Sequence, residues 1–328
     1  MFTDASSHRP TLRLGTRGSK LARSQADWVA NRLQQLGHKV DLIEIATHGD
    51  ADANVPISSF GGTGVFTKEI QRALLAGQID LTVHSLKDLP TDAVEGLVLA
   101  AIPPRESAAD VLVVTAGSRE QGAGSFSMLP APCSLLPLAA RVGTGSLRRQ
   151  AQLMHARPDL RVSEVRGNVD TRLRKLDDGQ FDALILAEAG LVRLGLADRI
   201  TQVLSPAVML PAVGQGALAI ECRTDDEETH AAVAQLDDSA TRAAVLAERS
   251  LLAQVRGGCL APIGAWGRIE QSVLQLSAVV LSLDGGQRLH AHGSSIVEVA
   301  AAIALGRSVA EMLLAQGAAD LIAAARNR

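Results

Sequence analysis

The segment VHSLKDLP, residues 83–90, ends a run of apolar residues and at once presents a hydroxyl, an amine and a carboxylate. These groups belong to Ser85, Lys87 and Asp88. In α/β proteins the ends of strands face the cleft in which ligands bind, so all three are candidates for ligand contact. The simpler alternative is a salt bridge between Lys87 and Asp88 at a surface turn, which contributes little to stability. Both interpretations fit this segment taken alone.

A second candidate site is a concentration of arginine in the middle of the chain. Nine basic residues stand against three acidic ones between residues 141 and 175, whereas the whole chain has a net charge of −3. The segments GTGSLRRQ (143–150) and EVRGNVDTR (164–172) each predict a strand, a turn and the start of a helix. Guanidinium groups and the free N–H groups of helix N-termini both bind carboxylates and phosphates. The pattern predicts one anion site, and its alternative is a solvated basic face.

The third candidate is Cys259, which follows two glycines and precedes a proline in VRGGCLAPIG (255–264). The chain has three cysteines at wide spacing, which argues against a disulfide framework and against a structural zinc site. A nucleophilic cysteine needs a base such as histidine, and no histidine motif accompanies this one. An attachment or redox role remains for Cys259, whereas Cys222 is predicted to be a core thiol.

Composition limits the classes of protein to be considered. A chain of 328 residues is long enough for two or three domains, and 47% hydrophobic with 20% charged residues is typical of globular proteins. The charge balance disfavours a nucleic-acid partner. The sequence has no long apolar run and no signal-like start, so we expect a cytoplasmic protein without a membrane partner. Nucleotide and metal-binding motifs are absent, and no metal is expected.

The positions of strand-like and helical runs predict how these candidates are held. Such runs alternate as far as residue 223, which predicts parallel βαβ units and an α/β fold. From about residue 239 the pattern changes to one helix, three strand-like runs (263–269, 272–283 and 287–293) and two further helices. This change predicts a small α+β domain with an antiparallel sheet.

Six motifs occur in the order typical of one family: LGTRGSKLA, VHSLKDLP, GTGSLRRQ, RGNVDTRL, LPAVGQGA and GGCLAPIG. From about residue 11 to its C-terminus the chain resembles the porphobilinogen deaminase (hydroxymethylbilane synthase) family. The resemblance implies two α/β lobes like those of solute-binding proteins and a small C-terminal α+β domain with an antiparallel sheet. The expected domain boundaries are 1–105 with 215–236, 106–214, and 237–328.

The resemblance also implies an activity, that of a transferase of tetrapyrrole and heme biosynthesis. Such an enzyme condenses four porphobilinogen molecules head to tail on a covalently attached dipyrromethane cofactor, releases ammonia at each step, and frees hydroxymethylbilane by hydrolysis. Cys259 is expected to carry the cofactor through a thioether, and Asp88 is expected to be the catalytic carboxylate. Because each pyrrole carries an acetate and a propionate, the bound chain is strongly anionic, which accounts for the arginines.

The remaining site residues follow from the same motifs. The residues expected to contact the cofactor are Ser85, Lys87, Asp88, Thr144, Ser146, Arg148 and Arg149. The residues expected to contact the substrate are Arg17, Ser19, Arg149, Arg166, Arg172 and Gln215. The enzyme is expected to be a monomer.

Two other classes compete with this interpretation. A non-catalytic, two-lobed binder of small anions would also have a doubled α/β layout and a basic cleft. Asp88 in the cleft and a third domain with a cysteine argue against it. A cysteine-dependent hydrolase would need a histidine partner that the sequence does not supply.

Overall fold

The computed structural model describes residues 11–46, 67–115, 133, 135–258 and 261–326. Thirteen strands in this part of the chain form three separate sheets. The strands are β1 (Leu12–Thr16), β2 (Val40–Glu44), β3 (Leu81–Ser85), β4 (Leu97–Ala101), β5 (Asp110–Val114), β6 (Arg141–Gly143), β7 (Arg161–Ser163), β8 (Ala183–Ala187), β9 (Gln202–Val203), β10 (Leu218–Arg223), β11 (Ile263–Glu270), β12 (Val273–Leu281) and β13 (Arg288–Ser295).

Nine α-helices connect or cover these strands within the described residues. They are α1 (Lys20–Gln35), α2 (Lys68–Leu75), α3 (Leu147–Ala156), α4 (Val169–Asp177), α5 (Glu188–Arg193), α6 (Glu227–Ala234), α7 (Ser239–Gln254), α8 (Val299–Ala315) and α9 (Ala318–Arg326). No single helix among the described residues is long and apolar enough to cross a membrane, and only α8 and α9 together, bent by 84°, meet that criterion.

The first sheet has the order β2-β1-β3-β10-β4. β1 runs parallel to β2 and β3, as the sequence predicts, but β10 is antiparallel to both β3 and β4. The sheet is therefore mixed, because β10 enters it on the way back from the second lobe. Helix α1 covers this sheet with Ala26, Val29 and Leu33, all fully buried or nearly so. Cys222 on β10 belongs to the same core, which confirms that it is a core thiol.

The second sheet has the order β7-β6-β8-β5-β9. β6 is parallel to β7 and β8, whereas β5 is antiparallel to β8 and β9. The chain thus leaves the first sheet after β4 and returns to it at β10. Two connections, 102–109 and 204–217, link the lobes, and the space between the lobes is the cleft.

The third sheet consists of β11, β12 and β13 in antiparallel order, as predicted from the sequence. One of its faces packs on α7 and α8, and the core between them is aliphatic. Close approach requires glycine at two positions. A Cβ on Gly306 would overlap the carbonyl oxygen of Ala247, and a Cβ on Gly267 would overlap that of Ala244. The structure confirms the predicted class, two α/β lobes with a small α+β unit.

Candidate active site

The catalytic candidate Asp88 lies in a tight turn at the end of β3. Leu86, which opens this 3₁₀ turn (Leu86–Asp88), is 1% exposed, and its N–H donates to the carbonyl of Ala217 at 3.0 Å. Gly214, with φ of +71°, packs directly on the Leu86 side chain. Because Leu86 is held inward, Lys87 is left half-buried and Asp88 exposed at the cleft.

A small pocket opens beside Asp88 on the side of the first lobe. Arg17, Ser19 and Ser85 line it together with Asp88. Ser19 also caps α1 by accepting the N–H of Ala22 at 3.3 Å, a role that explains serine at this position. The Oγ atom of Ser85 accepts a hydrogen bond at 2.7 Å from Gln25 on α1. The first-lobe residues of the predicted site therefore converge, and Gln25 is a member that the sequence analysis missed.

The Lys87 side chain makes no hydrogen bond or ion pair within the described part of the chain, so the surface salt bridge to Asp88 considered above is not formed. The pKa of Lys87 is lowered to about 8, mainly by burial and to a smaller extent by the positive charges of Arg149 and Arg148. The negative charges of Asp88 and Asp110 oppose this effect without reversing it. A bound anion beside this amine would favour its charged form and raise the pKa of Lys87 again.

Arg148 and Arg149 lie in the first turn of α3, whose N-terminus is capped by Ser146 through a 3.4 Å bond from the N–H of Arg149. Both arginines are buried, at 4% and 6% exposure. Both contact Asp110, the first residue of β5. Arg148 Nη1 lies 2.6 Å from Asp110 Oδ2, and Arg149 Nε and Nη2 lie 2.9 and 2.8 Å from Oδ1.

Asp110 is fully buried, and sequence reasoning missed it. Burial alone would raise the pKa of Asp110, but the charges of Arg148 and Arg149 outweigh burial and hold it well below its usual range. Gln215, predicted to contact substrate, donates to Asp110 at 2.9 Å and to the carbonyl of Ala108 at 2.7 Å. It thus joins the two connections between the lobes. The sequence signal was an acid at the head of the apolar run DVLVV.

The other second-lobe residues differ in solvent exposure. Thr144 is buried, and its hydroxyl accepts the N–H of Ser146 at 3.3 Å. Arg172 Nε donates to Gly167 O at 2.8 Å, and burial, followed by the charge of Arg149, lowers its pKa. Arg166 forms an exposed two-bond ion pair with Glu164, with both N–O distances 2.9 Å.

The lobes also meet directly at the edge of the cleft. Lys20 at the start of α1 forms an ion pair with Asp170 in α4, with an N–O distance of 3.0 Å. Ser24 donates to the carbonyl of Arg193 at 2.7 Å. These contacts bring the N-termini of α1 and α4, and with them Ser19 and Arg172, to the same opening.

The third unit is tied to the connections between the lobes through a buried carboxylate on α7. Glu248 accepts two hydrogen bonds from Arg105, at 2.7 and 3.2 Å, and one from each of the N–H groups of Gly214 and Gly267. Cys259 itself lies outside the described residues. Helix α7 ends at Gln254, and Gly258 has φ of +64° with open space around it.

The cleft residues fit a ligand that carries several carboxylates. Four cationic side chains (Lys87, Arg148, Arg149 and Arg172) face two carboxylates (Asp88 and Asp110). The Nε atom of Arg148 is buried without a hydrogen-bond partner, and the Lys87 ammonium also lacks one among the described residues. A Cβ on Gly145 would lie 3.1 Å from the carbonyl oxygen of Val165, so the loop before α3 packs closely on the turn between β7 and α4. No group of residues suited to a metal ion occurs in the described ranges.

The fold and the site together define a two-lobed α/β protein whose cleft carries several cationic side chains and the exposed carboxylate of Asp88. Two family models match the chain. "Porphobilinogen deaminase, dipyromethane cofactor binding domain" matches residues 12–231, and "Porphobilinogen deaminase, C-terminal domain" matches residues 242–315. The chain belongs to the porphobilinogen deaminase family.

Individual relatives agree with the family models. A protein named porphobilinogen deaminase from Desulforudis audaxviator is 48% identical over 315 residues, covering 95% of this chain and 97% of the relative. One of the same name from Syntrophotalea carbinolica is 46% identical, with 95% of each chain covered. Among solved structures, the methionine-binding protein MetQ is similar over 69% of this chain and 89% of its own, with 14% identity and a TM-score of 0.41.

Proposed function

We propose that this chain condenses four porphobilinogen molecules head to tail, releasing ammonia at each addition, and then frees linear hydroxymethylbilane by hydrolysis. Its family supports the reaction class. The observation that carries the assignment of roles is the exposed carboxylate of Asp88 in a cleft whose other charged groups are mostly cationic. Dipyrromethane, when bound, supplies the pyrrole carbon to which the first substrate is joined.

The role of Asp88 follows from charge. When a porphobilinogen loses ammonia, its C–N bond breaks and a cationic pyrrole is left, which a nearby carboxylate stabilises. A pyrrole carbon of the growing chain then forms a new C–C bond to this cation, and that pyrrole carbon must lose its proton. Asp88 is an exposed carboxylate that lines the first-lobe pocket, and it would accept this proton. Lys87, on the same turn, would bind a carboxylate of the chain rather than act on the reacting carbon.

The roles of the second-lobe residues follow from their positions. Arg148, Arg149 and Arg172, with Thr144 and Ser146, would hold the carboxylates of the cofactor and the growing chain. Arg17, Ser19 and Ser85 would do so from the first lobe. Arg166 would bind substrate only by exchanging Glu164 for a ligand carboxylate. Gln215, which also bonds to Asp110, would contact substrate, and Cys259 would carry the cofactor.

Intact-protein mass spectrometry tests the cofactor. The purified chain should exceed its sequence mass by one dipyrromethane, and the added mass should map to the peptide that contains Cys259. Cys133→Ser and Cys222→Ser are the matched controls and should keep the adduct, because both thiols are buried. Active protein with the bare sequence mass would contradict the proposal.

Ammonia release tests the catalytic residue. Asp88→Asn should fold normally and release ammonia about 10²–10⁴-fold more slowly, the range typical of proton transfer by a positioned side chain. Asp88→Glu should be less impaired because the charge is kept. An Asp88→Asn variant that melts earlier but turns over near the wild-type rate would show that Asp88 is only structural.

We also propose that the domains comprise residues 1–105 with 215–236, 106–214, and 237–328. We place the protein in the cytoplasm as a monomer, with porphobilinogen as its partner and no nucleic-acid or membrane partner. Two free cysteines, Cys133 and Cys222, support a reducing compartment. Light scattering of the purified holoprotein would test the monomer, and a dimer mass would contradict it.

A further inference from the structure

The outer face of the third sheet contains a second pocket, remote from the cleft. This face carries Trp266 on β11, Ser277 on β12, and Arg288 and His290 on β13. Part of it is covered by the second lobe, where Ala151 and Leu210 pack on Val279 and Leu281. Where this cover ends, a pocket of about 220 Å³ remains between the sheet and the connection that holds Pro206 and Ala207.

We propose that this pocket binds a small planar aromatic carboxylate. The site lies outside the cleft, and nothing in the proposed reaction uses it. Its lining combines one indole, two guanidinium groups, an imidazole and a hydroxyl with a short apolar wall of Pro206, Ala207 and Leu210. A few convergent polar groups in a partly apolar concavity are typical of small-molecule sites.

Charge determines the sign of the ligand. No carboxylate is among the lining residues. Arg268 is already paired with Glu270 at 2.6 Å and donates to Ser277 at 3.2 Å. The side chain of Arg288 is exposed and makes no hydrogen bond or ion pair in the described part of the chain. The guanidinium group of Arg288 is therefore available to a ligand, and its paired N–H groups can bind both oxygens of a carboxylate.

The shape and the aromatic group determine the rest of the ligand. The guanidinium of Arg268 lies 4.6 Å from the centre of the Trp266 ring and holds the indole in place. The indole of Trp266 and the apolar wall favour a flat ring, which can stack or pack edge to face. The volume is below the roughly 300–1,000 Å³ of sites for drug-sized ligands, so the pocket admits one small ring rather than a chain of rings.

The pocket also shares a residue with the support of the cleft. Leu210 lines the pocket, and its carbonyl accepts hydrogen bonds from Arg148 at 2.6 Å and from Gln152 at 3.0 Å. A bound ring would contact the residue that holds the Arg148 guanidinium.

Tryptophan fluorescence tests the proposal with little background, because the chain has two tryptophans and no tyrosine. In Trp28→Phe holoprotein, Trp266 is the one remaining indole, because the chain's other tryptophan, Trp28, lies on α1 in the first lobe. Phthalate, a flat dicarboxylate, is the probe. Its saturated analogue cyclohexane-1,2-dicarboxylate and inorganic phosphate are comparison ligands.

We expect a saturable change of Trp266 emission with phthalate and weaker binding of both comparison ligands. Arg288→Ala should weaken phthalate binding about tenfold or more through loss of a charge-assisted bond, without loss of melting temperature. Arg307→Ala, an exposed arginine on α8 at the opposite face of the sheet, is the matched control and should bind normally. No saturable change, or equal affinity in Arg288→Ala, would overturn the site. Equal affinity for phosphate or for the saturated analogue would overturn the aromatic ligand.

Discussion

Asp110 holds Arg148 and Arg149 in place, and the stability of an Asp110→Asn variant tests this role. The change keeps the size of the side chain but removes its charge. In the wild-type chain the Asp110 carboxylate accepts bonds from Arg148, Arg149 and Gln215 at 2.6–2.9 Å and is fully buried. An asparagine would keep one acceptor and direct an amide N–H₂ at a guanidinium group. Two buried cations would then lack a counter-ion.

The expected loss of stability is large. Removing one partner of a buried ion pair costs about 3–5 kcal/mol. For a cooperative unfolding unit of about 150–250 residues, that is a fall in melting temperature of roughly 6–20 °C. Asp182→Asn is the matched control, because Asp182 makes a similar pair with Arg141 at 2.8 Å but on the surface, at 36% and 49% exposure. Surface pairs contribute about 0–1 kcal/mol, so this variant should melt nearly as the wild type does.

The pH dependence gives a second test of the same reasoning. Since the folded-state pKa of Asp110 is depressed, its ionisation stabilises the fold above the unfolded pKa of about 3.9, and this stabilisation is lost as pH falls below it. The free energies of unfolding of the wild type and Asp110→Asn should therefore differ most above about pH 4 and converge at lower pH. Calorimetry or urea unfolding at several pH values measures both. Equal losses in Asp110→Asn and Asp182→Asn, or a difference that does not change with pH, would refute the argument.

Three further predictions follow from other contacts. Lys87 should titrate near pH 8 in protein without cofactor and at higher pH once the anionic cofactor is bound. The pH dependence of amine acylation measures this pKa, and the same pKa in both forms would contradict a position of Lys87 beside the ligand. Arg149→Leu should lose most of the dipyrromethane adduct, and Arg149→Lys should lose less, because lysine keeps the positive charge but not the two-pronged guanidinium geometry. Mass spectrometry of both variants against the wild type decides whether this arginine binds the cofactor. Gly306→Ala should lower stability by about 1–3 kcal/mol because its Cβ would overlap α7, whereas Gly190→Ala, with open space around it, should be neutral or slightly stabilising in the same urea assay.

The sequence by itself determined the class of fold and the positions of the motifs. Alternating apolar runs are a local property, so the strands of both lobes and the small antiparallel sheet are predictable from residue order alone. Helix caps are also local, because a side chain bonds to an N–H two or three residues ahead. Ser19, Ser146 and Asn168 each do so here. The six motifs, taken in order, also predicted the family to which the chain belongs.

Tertiary structure decided which charged residues meet. Asp110 is 38 residues from Arg148 and 105 from Gln215, and no local pattern links positions that far apart. The same holds for β10, which lies antiparallel in the first sheet only because the chain returns from the second lobe. Burial by these distant segments, more than residue type, separates Lys87, with its lowered pKa, from the exposed Asp88 beside it. It also leaves Arg166 paired with Glu164 on the surface while Arg148 and Arg149 are enclosed.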